Sequence, residues 1–137
     1  MKRKLLQIAY DMAVDKLPRH PLFGTKSFLH FSFIVFDGSI IEYGFNSHAS
    51  PEPHWGYEKL NRGYGNYKSS THAELSVFKR ARGLLRGETF DMINVRLGYE
   101  NRLLISAPCS VCRSWLGAVG CRKVAFSVND GWAETVA

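Results

Sequence analysis

The chain lacks any apolar run approaching the roughly 18 to 20 residues needed to cross a bilayer; its longest, around Phe31 to Phe36, is strand-sized. A secretory leader is not expected either, because Asp11, Asp15 and Lys16 interrupt the segment behind the basic start Met1-Lys2-Arg3-Lys4. The expected address is therefore the cytoplasm, with no membrane partner. Cysteine is scarce. Three cannot all pair within one chain, and two of them stand three residues apart, which excludes a disulfide scaffold and suggests metal ligation in a reducing compartment. Cys121, the one left over, reads as buried packing. Acidic residues are also in short supply: 12 against 18 Lys and Arg, a formal charge of +6. That balance suits a partner carrying phosphates, whether a nucleotide, a polynucleotide or an anionic surface. The basic residues are scattered rather than blocked, which weakens the case for a dedicated nucleic-acid arm.

With 137 residues, 45% apolar and 22% charged, the composition fits a single folded domain over 1–137, with no repeat and no linker. Leu5, Leu6, Ile8, Ala9, Met12, Ala13 and Leu17 recur at helical spacing from Lys4 until Pro18 stops the pattern. Phe28 to Phe36 and Ile40 to Phe45 read as strands joined by Asp37-Gly38, a strong hairpin signal. Asn46 to Ser70 has no sustained periodicity but holds Trp55, Tyr57, Tyr64 and Tyr67, so it is expected to be an ordered loop walling a site. Helical spacing resumes over Thr71 to Arg86, with Gly87 just past the end. Met92 to Tyr99 and Arg102 to Ser106 read as strands, Cys109 to Val119 as a short helix, and Val124 to Val128 as the final strand. Such interleaving predicts an α/β domain with a helix-covered sheet.

Two segments carry chemistry: His72-Ala73-Glu74 and Pro108-Cys109-Ser110-Val111-Cys112. One histidine and two cysteines offer three ligands of the kind zinc takes, and three protein ligands leave a tetrahedral position for water, as in a catalytic site. Cys109 and Cys112 share a face if they open a helix, and Pro108 suits the first helical position because its missing N–H would be unpaired there anyway. His72 is likewise expected on the first turn of its helix, so that two helix N-termini converge on the metal. Glu74, two residues on, is not needed as a ligand and is free to act as proton shuttle. Each segment alone has a blander account. Thr71-His72-Ala73-Glu74 fits a capping box, and a CxxC can be a redox pair. Neither explains both segments together. His20, His30, His48 and His54 read as hydrogen-bonded loop or strand residues, with His48 and His54 closest in sequence to the expected site wall.

The HxE and PCxxC pair resembles the zinc-dependent cytidine and deoxycytidylate deaminase superfamily, over about Phe28 to Val128. The resemblance implies a three-layer α-β-α fold with a central mixed sheet of about five strands, a bound Zn2+, and a homo-oligomer. It also implies that Asn46, closing the second strand, contacts the sugar, that the backbone of Ala73 binds the base carbonyl, and that Ser106 and Ala107 line the base pocket through their backbones. Phe23 joins the loop aromatics as a candidate to stack on the base. Only nine residues follow Val128, so the terminal strand and helix common in the family are expected to be truncated or absent. Histidine at position 72, where cytidine deaminases proper use cysteine, and Ile105-Ser106-Ala107 in place of the SWS of polynucleotide deaminases favour a free pyrimidine nucleotide such as dCMP. Arg62, Lys68, Arg102 or Arg113 would receive its phosphate. The alternative is a polynucleotide deaminase acting on cytosine or adenine in single-stranded DNA or tRNA, and a third reading is a non-catalytic zinc-stabilised binding module.

Overall fold

A computed structural model of the protein describes residues 1–48 and 71–137. Helix α1 (Arg3–Lys16) places Leu6, Ala9 and Ala13 on one buried face. Two of those three are alanines, so its backbone lies close to the sheet. A 3₁₀ turn over Leu17–Arg19, with Pro18 at its second position, ends it. Strands β1 (Leu29–Phe36) and β2 (Ser39–Phe45) form an antiparallel hairpin. Asp37 and Gly38 turn it at φ 52° and 79°, the left-handed pair a tight turn between right-twisted strands demands. Helix α2 (Ala73–Leu85) leads into β3 (Phe90–Leu97). The two-residue β4 (Leu103–Leu104), α3 (Ser110–Ala118), β5 (Cys121–Val128) and β6 (Gly131–Val136) complete the chain.

The sheet runs β2-β1-β3-β5-β6, with β4 pairing the end of β3. Among the described strands only β3 and β5 pair in parallel, so the sheet is mixed. Alternation along the central strands sorts side chains to two faces. Phe31, Phe33, Val35, Ile93 and Val95 pack with α1. Ile34, Phe90, Met92 and Val124 face α2 and α3, where Leu75, Phe78, Val111 and Trp115 meet them. Three layers result, as the resemblance implied, with a separate apolar core on each face of the sheet. The approach of α2 to the sheet is fixed at Gly44, where a Cβ would stand 2.6 Å from the backbone nitrogen of Val77.

Three expectations need correction. The strand expected over Arg102–Ser106 shrinks to Leu103–Leu104, because the residues that follow turn inward to hydrogen-bond the end of β5. The terminal strand is not missing: β6 pairs antiparallel with β5 from Val128↔Gly131 to Lys123↔Val136 after a turn at Asp130 (φ 59°). Nine residues suffice for it because the turn is so tight. Finally, β3 and β5 begin at Phe90 and Cys121, earlier than read from the apolar pattern. Most of the expected wall over Asn46–Ser70, including His54, Trp55, Tyr57, Arg62, Tyr64, Tyr67 and Lys68, lies outside the described residues. Its two ends are joined: Ser47 and Thr71 exchange backbone hydrogen bonds of 2.9 and 3.0 Å.

Candidate metal centre and active site

Two helix N-termini meet above the sheet. His72 is the N-cap of α2, in extended conformation (φ −76°, ψ 152°), and Cys109 is the N-cap of α3 (φ −67°, ψ 165°). Both therefore stand one position outside the helical turns where the spacing had put them, and Pro108 precedes the cap instead of occupying the first helical position. The difference matters chemically. A cap residue bends its side chain back over the free N–H groups of the first turn, and the Cys109 sulfur accepts from the Cys112 N–H at 3.4 Å.

His72 Nδ1 lies 3.2 Å from Cys112 Sγ and 3.7 Å from Cys109 Sγ. All three donor atoms fall within 4.8 Å of one another. Zinc bonds of about 2.0–2.1 Å to nitrogen and about 2.3 Å to sulfur would place tetrahedral donors roughly 3.5 to 3.8 Å apart. The cluster matches that size and that donor set, so the residues present fit the metal. The Cys109 thiol is pushed down to about 4, first by its hydrogen bond with the Cys112 side chain and then by His72, so it is a ready thiolate at neutral pH. Burial works against a charge on His72, but its hydrogen bond with Cys109 and the charges of Glu74 and Cys109 outweigh it and push its pKa up.

Glu74 is buried, at 6% exposure, on the first turn of α2. Burial raises its pKa above the ordinary carboxylate value, opposed by the charge of His72, by its own backbone N–H and by Asn94. A carboxyl so placed holds a proton more readily than an exposed one would. The capping-box account fails on geometry. Thr71 lies outside the cap, Glu74 is at the second helical position instead of the third, and Asn94 Nδ2 donates to its carboxylate at 3.1 Å.

The remaining expected contacts divide. Ala73, the first residue of α2, lines a cavity of about 600 Å³ together with His72, His30, Asn46, Lys26 and Phe28. The Asn46 amide, which also lines that cavity, bonds the backbone at the start of β1: its Oδ1 accepts from His30 N–H and its Nδ2 donates to Phe28 C=O, each at 2.9 Å. Ser106 is turned inward, with its N–H donating to Ser127 C=O at 2.9 Å and its C=O accepting from Asn94 at 3.2 Å, while Ala107 is exposed. Arg102 pairs with Asp130, and Arg113 donates to Val136 C=O; neither lines the cavity. His20 is hydrogen-bonded to His30 C=O and accepts from Leu22 N–H, and His48 Nε2 lies 3.0 Å from Ser27 Oγ, both as expected of non-ligands. Cys121 is buried and pushed up to about 12 by that burial, in keeping with packing. Sequence reasoning missed Asn94. Its signal was parity: Ile93 and Val95 face α1, so the residue between them must face the helices that carry the site.

No protein-family model matches the sequence, and no curated protein matches it either. Solved structures do. Cytidine deaminase from Burkholderia pseudomallei superposes with a TM-score of 0.63 at 18% identity, covering 99% of this chain and 93% of that one. The apo dCMP deaminase of cyanophage S-TIM5 gives a TM-score of 0.57 at 16% identity, over 92% and 84% of the two chains. Cytidine deaminase from Mycobacterium leprae gives 0.59 at 17%, over 94% and 92%. The chain has the fold of the cytidine and dCMP deaminases.

Proposed function

We propose, starting from that fold, that the protein is a zinc-dependent hydrolytic deaminase that converts the amino group of a cytosine-type base to a carbonyl and releases ammonia. The observation that supports this most directly is the buried Glu74 carboxyl beside a His72, Cys109 and Cys112 cluster sized for zinc. A purely structural metal site has no use for a buried carboxyl next to it that is not a ligand, which counts against the binding-module reading.

His72, Cys109 and Cys112 would hold the metal. When bound, zinc supplies an acidified water, lowering its pKa from about 15.7 to about 7. Glu74 would take one proton from the attacking water and pass it to the ring nitrogen as the oxygen adds to the amino-bearing carbon. It then carries the second proton to the amine, which departs as ammonia. The Ala73 N–H belongs to the first helical turn and has no partner within the helix, so it is the group best placed to receive the base carbonyl.

The substrate we favour is a free pyrimidine nucleotide such as dCMP. Lys26 is the one Lys or Arg among the described residues lining the cavity, and a single cation suits one phosphate better than a polymer track. Ammonia release from cytidine, deoxycytidine, dCMP and single-stranded oligonucleotides, each across a salt series, checks this. Activity on dCMP with a shallow salt dependence is expected; activity confined to oligonucleotides, falling steeply with salt, would favour the polynucleotide alternative.

Catalysis is tested by Glu74→Gln, which keeps size and reach but cannot accept the proton. Zinc should remain at one per chain while turnover falls by about 10² to 10⁴-fold or more. Near-wild-type turnover with zinc retained would refute the role of Glu74. Absence of zinc from the purified wild-type protein would refute the site.

A further inference from the structure

Beneath Glu74 lies a buried polar chain in an otherwise apolar layer. Ser32 on β1 stands opposite Asn94 on β3 in the strand register, and both side chains are buried. The Ser32 hydroxyl donates to Asn94 Oδ1 at 2.7 Å. Asn94 Nδ2 then donates twice, to Glu74 Oε2 at 3.1 Å and to Ser106 C=O at 3.2 Å. Ser106 Oγ donates to Asn94 C=O at 2.9 Å and lies 2.7 Å from Ser127 Oγ, while the Ser127 N–H donates back to Ser106 Oγ at 2.9 Å. Each strand of the sheet's centre contributes a link: β1, β3 and β5.

The orientation of the Asn94 amide follows from its neighbours. The Ser106 carbonyl can only accept, so the nitrogen of the amide must face it, and Glu74 lies on that same side. The oxygen then faces Ser32, whose hydroxyl can donate. Reversing the amide would set its oxygen against a carbonyl and a carboxylate in a dry layer, leaving three acceptors without a donor.

We propose that Asn94 is a positioning residue for the reaction, acting through Glu74 by holding its carboxyl in one orientation. Its N–H holds Oε2 and so fixes how the carboxyl is turned beside the His72, Cys109 and Cys112 cluster. Ser32 holds the amide in the orientation that makes this so. Pre-organisation of this kind spares the carboxyl a rotation between its successive proton transfers. Supporting groups one bond removed from a reacting centre typically change activity by about 10 to 100-fold when lost.

This rests on the deaminase reading, and the experiment separates the two. Asn94→Asp keeps the shape but turns the donor facing Glu74 into an acceptor. With dCMP as substrate, kcat should fall by about 10 to 100-fold or more, KM should stay within about threefold, and zinc should remain at one per chain. Melting temperature supplies a readout independent of turnover. Asn94→Asp should lower it, and adding Glu74→Gln should restore most of the loss, because the glutamine amide can donate to the aspartate across the same gap. Ser32→Ala, a milder change, should lower kcat several-fold with zinc intact, and it serves if Asn94→Asp does not fold. A wild-type chain that releases no ammonia from any aminopyrimidine fails the deaminase reading. An active wild type whose Asn94→Asp variant keeps its kcat, or a double variant no more stable than Asn94→Asp alone, overturns the role of Asn94. If Asn94→Asp does not fold, unchanged kcat in Ser32→Ala does the same.

Discussion

His30 shows how a side chain beside a site can be tuned by its surroundings without taking part in ligation. Burial pushes its pKa down from 6.5 to about 4, and the charges of Arg96, His72 and His20 act in the same direction. Its backbone, not its ring, anchors the neighbours: the N–H bonds Asn46 and the C=O bonds His20. Because the unfolded chain takes up this proton first, the contribution of neutral His30 is complete above pH 6.5 and is lost as pH falls toward 4. The loss is on the order of 3 kcal/mol. Thermal melting of the wild type should therefore decline more steeply between pH 6.5 and 4 than that of His30→Gln. Parallel curves would show that the ring is not held neutral. At this scale the sequence was legible where chemistry demands rare neighbours. His72, Glu74, Cys109 and Cys112 stand out because few other arrangements use them. The partners of Asn46 and Ser106 were not legible, since an amide and a peptide group can bond in many directions and spacing does not say which. In the fold both are engaged with neighbouring backbone or Asn94.

At the scale of elements, periodicity located α1, α2 and the hairpin to within a residue or two, because each has one apolar face and a marked end: Pro18, Gly87 and Asp37-Gly38. It failed where a segment is short. β6 spans six residues, Gly131–Val136, with Glu134 exposed among them, too few to show alternation against the background. Yet β6 covers one edge of β5 along six residue pairs and sets Trp132 against the α1-side core. Removing residues 130–137 should uncover a strand edge next to Val124 and Ala125, which are fully buried in the intact fold. We expect a drop in melting temperature of at least about 10 °C and increased aggregation, read by thermal denaturation and size-exclusion chromatography. A truncated chain that melts like the full one would make β6 an ornament of the sheet. The caps are a second lesson at this scale. Boundaries read from apolar spacing put His72 and Cys109 inside their helices, whereas a donor that must lean over a helix end belongs just before it.

In the whole molecule, Glu74 and the proposed metal ligands sit on the helix layer and Asn94, which bonds Glu74, sits on the sheet, so their alignment depends on how the two layers are spaced. That spacing is set at Gly44, where β2 meets the backbone of Val77, three residues along α2 from Glu74. A methyl group there would lie 2.6 Å from Val77 N and 2.8 Å from Val77 Cα, and neither atom can be trimmed by substituting a side chain. Gly44→Ala should cost about 1–3 kcal/mol of stability in denaturant titrations and lower turnover as well, since α2 carries Glu74 with it when it shifts. A variant that lost neither would mean that the layers can separate without disturbing the site. The close approach also shapes how this protein can vary: every side chain at position 44 meets the backbone of Val77, and no single side-chain change at position 77 relieves it. In a saturation library selected for deamination, position 44 should return glycine alone, a vacant spot on the strand that every active descendant of this sequence has to keep vacant.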